Sequence, residues 1–254
     1  SQSEILNIID QFVNAAEVAK QTGFTGVQLH SAHGYLLSEF LSPNVNQRTD
    51  EWGGSIENRS RLLITTIEAI RDKVGHNFPI SIKLNSSDFQ KGGFSHEESI
   101  EVAKIALGKD VGPITVSTLE EAEYFASSGF KDITYAVCII PAKLKRLNYI
   151  QLKYNCMIRM VIDSVIVAKE IVKYSKLHSA IFEILIEIDC GEGRSGLAYQ
   201  DEKIREISKV FDRNHYTKLL GVLAHAGHSY STNNKKEIIS ISNIEREHAL
   251  ASLK

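Results

Sequence analysis

Short β-branched runs alternate with longer stretches of helical period along the whole chain. The apolar runs predict strands over 25–30 (TGVQLH), 79–85 (PISIKLN), 113–118 (PITVST), 132–137 (DITYAV), 157–163 (MIRMVID), 182–189 (FEILIEID) and 219–225 (LLGVLAH). Between and around them, the i, i+3, i+4 recurrence of apolar residues predicts helices over 4–21, 57–74, 96–107, 118–128, 141–152, 164–175, 200–213 and 235–250. Two helix starts carry a start signature. In STLEEAEYF, Ser117 or Thr118 can cap, with Glu120 or Glu121 three residues on, and SHEES at 95–99 repeats the pattern.

Strands with apolar interiors, each followed by a helix, imply a parallel sheet covered by helices. The expected class is α/β with about seven parallel strands in a (βα)-barrel-like arrangement. No G-x-G-x-x-G follows the first strand, which argues against an open dinucleotide-binding sheet. Parallel barrels bind ligands at the C-terminal ends of their strands. His30, Asn85, Asp189, Arg194 and His225 all fall at such ends.

With 29 Lys and Arg against 31 Asp and Glu, the charge is nearly balanced, which removes nucleic acid and charged membrane surfaces as expected partners. The longest apolar runs are too short or too interrupted to span a bilayer. SQSEILNIIDQFVNAAEVAK has no basic segment before an unbroken apolar core, so it reads as an amphipathic helix and not as a signal peptide. Cys138, Cys156 and Cys190 stand far apart without a C-x-x-C pair. This points to free thiols in a reducing, cytoplasmic setting. The start at Ser1 reads as that of a fragment or a processed product.

Two clusters carry chemistry. LHSAHGYLLSEF puts His30, His33 and Tyr35 within six positions just after a strand. Two imidazoles at a strand end can hold a carbonyl, nitro or carboxylate oxygen, and a phenol can deliver a proton. The bland alternative is that the histidines finish the strand and the tyrosine packs. In PISIKLN, alternation puts Ser81, Lys83 and Asn85 on one face, opposite Ile80, Ile82 and Leu84. Further on, EIDCGEGRSGL and HAGHSY bring Arg194, His225, His228 and Tyr230 towards later strand ends. Here the alternatives are a loop ion pair of Arg194 with Glu192 or Asp189, and a pair of histidines that merely finishes a strand. His225 and His228 have a spacing compatible with a metal, but the sequence shows no third ligand, and no metal is expected.

The segment GFTGVQLHSAHGYLLSEFLSPNVNQRTDEWGGSIENRSRLL, continued by PISIKLNSSDFQKGGFSHEES, resembles the old yellow enzyme family of FMN-dependent ene-reductases and NADH:flavin oxidoreductases. The motif is long and specific, and the resemblance runs over residues 1–107. It implies that His30 and His33 hold the substrate's electron-withdrawing oxygen, that Tyr35 is the proton donor, and that Lys83 lies against the anionic edge of FMN. It also implies NAD(P)H as reductant and a small-molecule substrate. Arg48, Asp50 and Arg59 are expected to be architectural. The segment corresponds to the middle strands of that family's barrel, and no equivalent of its phosphate-binding late strands is expected after residue 107.

Residues 108–254 resemble a different family, that of D-threonine aldolase and D-serine dehydratase, which are pyridoxal-phosphate (PLP) enzymes with an alanine-racemase-type barrel. The resemblance rests on VGPITVSTLEEAEYFASSGFKDITYAVCIIPAKL, VIDS, LIEIDCGEGRSGL and GVLAHAGHSY. It implies that Arg194, His225 and Tyr230 line a PLP-type pocket, with Asp163 and Asp189 nearby. The lysine that attaches PLP in that family has no counterpart in this segment.

The chain therefore reads as a composite of two partial barrels, 1–107 and 108–254, together forming an incomplete or open barrel. Three functional expectations follow. They are an FMN-dependent NAD(P)H oxidoreductase of ene-reductase type, a PLP-dependent D-amino-acid lyase or racemase, and a catalytically inactive fusion or fragment.

Overall fold

The computed structural model describes residues 1–21, 23–24, 26–108, 113–212, 214–232 and 234–253, with the side chains of Tyr230 and Lys235 outside the description. The chain folds as two compact units, Ser1–Val111 and Gly112–Lys254.

The first unit contains α1 (Gln2–Gln21), β1 (Val27–Ser31), α2 (Leu36–Leu41), α3 (Ile56–Val74), β2 (Ile80–Leu84) and α4 (His96–Leu107). β1 and β2 pair in parallel, and the register sets His30 beside Lys83. Its core is built from Ile5 and Ile9 of α1, Leu37 and Leu41 of α2, Leu62, Leu63 and Ile70 of α3, Val102 of α4 and Trp52. Ile80, Ile82 and Leu84 pack against that core. The alternation in the strand thus leaves Lys83 on the other face. α4 starts with the predicted capping box: the Ser95 hydroxyl accepts from the Glu98 N–H (3.2 Å), and Glu98 accepts from the Ser95 N–H (3.1 Å).

The loop before α3 and the start of that helix are architectural, as expected. Arg48 pairs with Asp50. Arg59 is 4% exposed and donates to the carbonyls of Leu41 and Gly54 and to Glu98. One guanidinium thus ties the end of α2, the loop before α3 and the start of α4 together.

The second unit contains β3 (Ile114–Val116), α5 (Leu119–Ser127), β4 (Asp132–Cys138), α6 (Leu144–Tyr154), β5 (Met157–Ile162), α7 (Val165–His178), β6 (Phe182–Asp189), β7 (Leu197–Ala198), α8 (Glu202–Phe211), β8 (Thr217–Ala224) and α9 (Lys235–Ala251). All its strands are parallel, in the order β3-β4-β5-β6, with both β7 and β8 pairing with β6. Thr118 and Glu121 form the second predicted capping box. On β6, Ile184, Ile186 and Ile188 are buried among the core residues, whereas Glu183, Leu185 and Glu187 alternate onto the opposite face.

The seven predicted strands are all present. Together with the two-residue β7 they form a two-stranded sheet and a six-stranded one, and among the described residues there is no closed barrel. The two-residue β7 and a 3₁₀ turn at Gly227–Ser231 were not predicted, and two further elements differ from expectation. α2 is six residues long, too short to show a period between Gly34 and Pro43. The helix predicted from 141 opens as a 3₁₀ turn at Pro141–Lys143 before α6, with Pro141 in its first turn. The three cysteines form no disulfide. No helix among the described residues is long and apolar enough to cross a membrane.

Candidate functional site

In the first unit the site forms where β1 runs into α2. His33 (φ +60°) and Gly34 (φ +75°) are consecutive left-handed residues, and they turn the chain back over the strand end. The His33 N–H donates to Asn85 Oδ1 (3.1 Å), beyond β2. This fold-back brings three rings together. The His30 and His33 centroids are 5.3 Å apart, and those of His30 and Tyr35 are 4.9 Å apart, both edge to face. Tyr35 is 63% exposed, so its phenol faces solvent at the mouth of the cluster.

His30 has a defined state. Its Nδ1 accepts from the Ala32 N–H (3.3 Å). An acceptor nitrogen carries no proton, so in the neutral ring the proton sits on Nε2. Burial holds the pKa of His30 below the ordinary histidine value, and the charges of Lys83 and His33 push the same way. His30 therefore presents a neutral N–H donor at neutral pH. The sequence brought His30, His33, Tyr35 and Lys83 forward, and the structure places all four at one pair of strand ends. The part played by Asn85 was not legible, because a backbone N–H from one strand end meeting a side chain from another leaves no local pattern.

In the second unit the predicted residues gather less completely. Asp189 accepts from the N–H groups of Gly191 (2.9 Å) and Gly193 (3.1 Å). Burial opposes ionisation of its carboxyl, but the N–H groups of Gly193, Gly191 and Glu192, with His228 nearby, outweigh it and hold the pKa below the usual range. Glu192 accepts from the Gly227 N–H (3.2 Å), joining the loop after β6 to the turn after β8. Arg194 is exposed and makes no hydrogen bond or ion pair among the described residues, so the ion pair considered for it does not form. His225 follows β8 directly and is half-buried. The Tyr230 side chain lies outside the described residues.

A polar cluster that the sequence reading did not single out lies at the ends of β4 and β6. Glu187, 7% exposed, accepts from the Cys138 thiol (3.0 Å) and the Ser195 hydroxyl (2.7 Å). Burial, then Glu187 and then Asp163, push the Cys138 pKa up, so the thiol stays protonated. The legible trace of this cluster was the alternation Glu183, Leu185, Glu187 within an apolar strand.

Both units are parallel βα assemblies whose reactive side chains sit at C-terminal strand ends, the arrangement of barrel enzymes. The chain belongs to the family described as alanine racemase, N-terminal domain, which residues 96–245 match. Residues 1–124 match a second family, NADH:flavin oxidoreductase / NADH oxidase. An NADH oxidase of Thermoanaerobacter brockii is 44% identical over 115 residues, 45% of this chain and 18% of that protein. An alanine racemase-like protein from Idiomarina loihiensis is 31% identical with a TM-score of 0.56, over 60% of this chain and 40% of that one. The D-threo-3-hydroxyaspartate dehydratase from Delftia sp. HT23 is 31% identical with a TM-score of 0.50, over 54% of this chain and 36% of that one. The chain thus spans well under half the length of each of these proteins.

The two cofactors that these families imply fit unequally. In the first unit, a neutral imidazole donor, a second histidine, an exposed phenol and a strand-end lysine suit the substrate side and the anionic edge of a flavin. In the second unit, the N–H groups of Gly191 and Gly193 are turned onto Asp189 and cannot also cradle a phosphate. The one strand lysine among its described residues, Lys218, is at the N-terminal end of β8, away from the site, so the residues present do not fit an attached PLP.

Proposed function

We propose that the first unit is the substrate-oxygen clamp and proton donor of a flavin-dependent NAD(P)H oxidoreductase of ene-reductase type. The observation that carries this reading is the convergence of His30, His33 and Tyr35 at one strand end, with Lys83 in register beside His30. Bound FMN would supply the hydride, and NAD(P)H would restore it. His30, through Nε2–H, and His33 would hold a carbonyl or nitro oxygen and draw electron density from the conjugated carbon–carbon bond. The Tyr35 hydroxyl would then deliver the proton to carbon, in the role of a general acid. Lys83 would stabilise negative charge on the flavin edge.

The test is reconstitution of the purified chain with FMN. A protein that retains a band near ~450 nm after gel filtration, and that oxidises NADH when 2-cyclohexen-1-one is added, supports the reading. A colourless protein after the same treatment refutes it. A band near ~420 nm after incubation with PLP would instead favour the lyase or racemase reading, against which the occupied glycine N–H groups speak.

A further inference from the structure

Asn85 stands just beyond β2, and two hydrogen bonds of opposite purpose meet on it. Its backbone carbonyl accepts from the Ser99 hydroxyl (2.9 Å), and Ser99 on α4 is 1% exposed. Its side-chain Oδ1 accepts from the His33 N–H (3.1 Å). The first contact fixes Asn85 to the body of the unit. The second reaches across to the loop after β1 and takes hold of a residue whose backbone is left-handed, at φ +60°. For a residue that carries a Cβ, this conformation is disfavoured by about ten-fold, so something must pin it.

The neighbours do not do that work. Gly34 permits the turn but imposes nothing, and the neighbouring backbone bond, from the Tyr35 N–H to the Ala32 carbonyl (3.3 Å), does not involve His33. We propose that Asn85 is the positioning residue for His33. Its carboxamide oxygen holds His33 left-handed, and this sets the distance between the His30 and His33 rings that defines the oxygen clamp. The inference rests on the proposed function for its consequence, but its structural half stands independently.

Both halves can be tested on the full-length chain. Asn85→Leu has similar size and no acceptor, Asn85→Ala is a smaller version of the same loss, and Asn85→Asp keeps the acceptor oxygen. The backbone chemical shifts and the HN–Hα coupling of His33 report its φ directly. Trp52, the single tryptophan, is buried in the same unit and reports through its emission whether each variant is folded.

Asn85→Leu and Asn85→Ala are expected to move His33 out of the left-handed region. In the FMN-treated chain they should weaken binding of 2-cyclohexen-1-one by about ten-fold, while Asn85→Asp restores both readouts. A purely structural role would shift the unfolding midpoint without this recovery. If the His33 φ is the same with leucine, alanine or asparagine at position 85, the inference is overturned. If φ moves but the affinity for the enone does not, the claim that Asn85 sets the clamp is overturned. Failure of the parent chain to take up FMN or the enone refutes the proposed function instead, and the His33 shifts still decide the inference.

Discussion

Replacing Arg59 by methionine should cost the first unit about 3–4 kcal/mol. Methionine keeps the buried stem and removes the fork. The Arg59 side chain is 5% exposed and that of its partner Glu98 is 25% exposed. Truncation strands the carbonyls of Leu41 and Gly54, each at about 1 kcal/mol for a buried acceptor without a donor. Glu98 keeps the Ser95 N–H (3.1 Å) but loses its counter-charge. In a partly exposed setting that adds about 1–2 kcal/mol, below the 3–5 kcal/mol typical of breaking a fully buried pair. Against a typical domain stability of about 5–15 kcal/mol, this is a large fraction. Urea denaturation followed by Trp52 emission reads the first unit directly, since Trp52 is the single tryptophan and is 4% exposed. The midpoint should fall with little change in slope. Arg59→Lys should fall between, because an ammonium cannot serve three acceptors arranged around a planar fork. A loss below about 1 kcal/mol in Arg59→Met would refute the view that one guanidinium fastens these three segments.

Acid should weaken the first unit through His30. Its folded-state pKa lies below the unfolded value of 6.5, so the unfolded chain takes up the proton first. Stability is therefore full above that value and is lost as the pH falls below it, until the folded-state pKa is passed. The difference between parent and His30→Gln denaturation midpoints, compared at neutral pH and near pH 5 (a pH of about 5 lies below the ordinary histidine value), should show the parent losing more. Equal losses would sink this assignment. In the second unit, Gly196→Ala should be strongly destabilising. The glycine has φ +92°, and an added Cβ would come within 2.8 Å of the Asp189 backbone nitrogen. A loss of about 2–4 kcal/mol by far-UV circular dichroism is expected, whereas an unshifted midpoint would show that the loop adapts.

The strands were legible because each is an apolar run with flanking breaks, and period-2 and period-3.6 patterns are local properties. The two capping boxes were legible for the same reason: Ser95 with Glu98, and Thr118 with Glu121, are three residues apart. α2 escaped because six residues hold too few turns to display a period. The grouping of His30, His33 and Tyr35 was readable since one tight turn assembles all three. The Glu187–Cys138 contact was not, because 49 residues separate its partners and only the parallel packing of β4, β5 and β6 brings them near. The division of seven expected strands between two sheets also depends on pairing rather than on pattern. Nothing in PISIKLN or PITVST specifies which neighbour each one takes.

The two units differ in how much of their polar chemistry is already spent. In the second, Asp189 is committed to glycine N–H groups, Glu192 to Gly227, and Glu187 to Cys138 and Ser195. Each carboxylate there stabilises the loop or strand that carries it, and a ligand would have to displace an existing bond to use it. In the first unit the hydrogen bonds run the other way. The Ala32 N–H orients the His30 ring through Nδ1 and leaves its Nε2 donor open, Asn85 Oδ1 holds the His33 backbone and not its ring, and Tyr35 is held by its backbone with its side chain exposed. A polar group held by its own fold mainly stabilises that fold, whereas one oriented by its neighbours but left open is pre-organised for a ligand. By that criterion the proposed chemistry is better supported at His30, His33 and Tyr35 than in the second unit, even though the longer family match, over residues 96–245, lies mostly there.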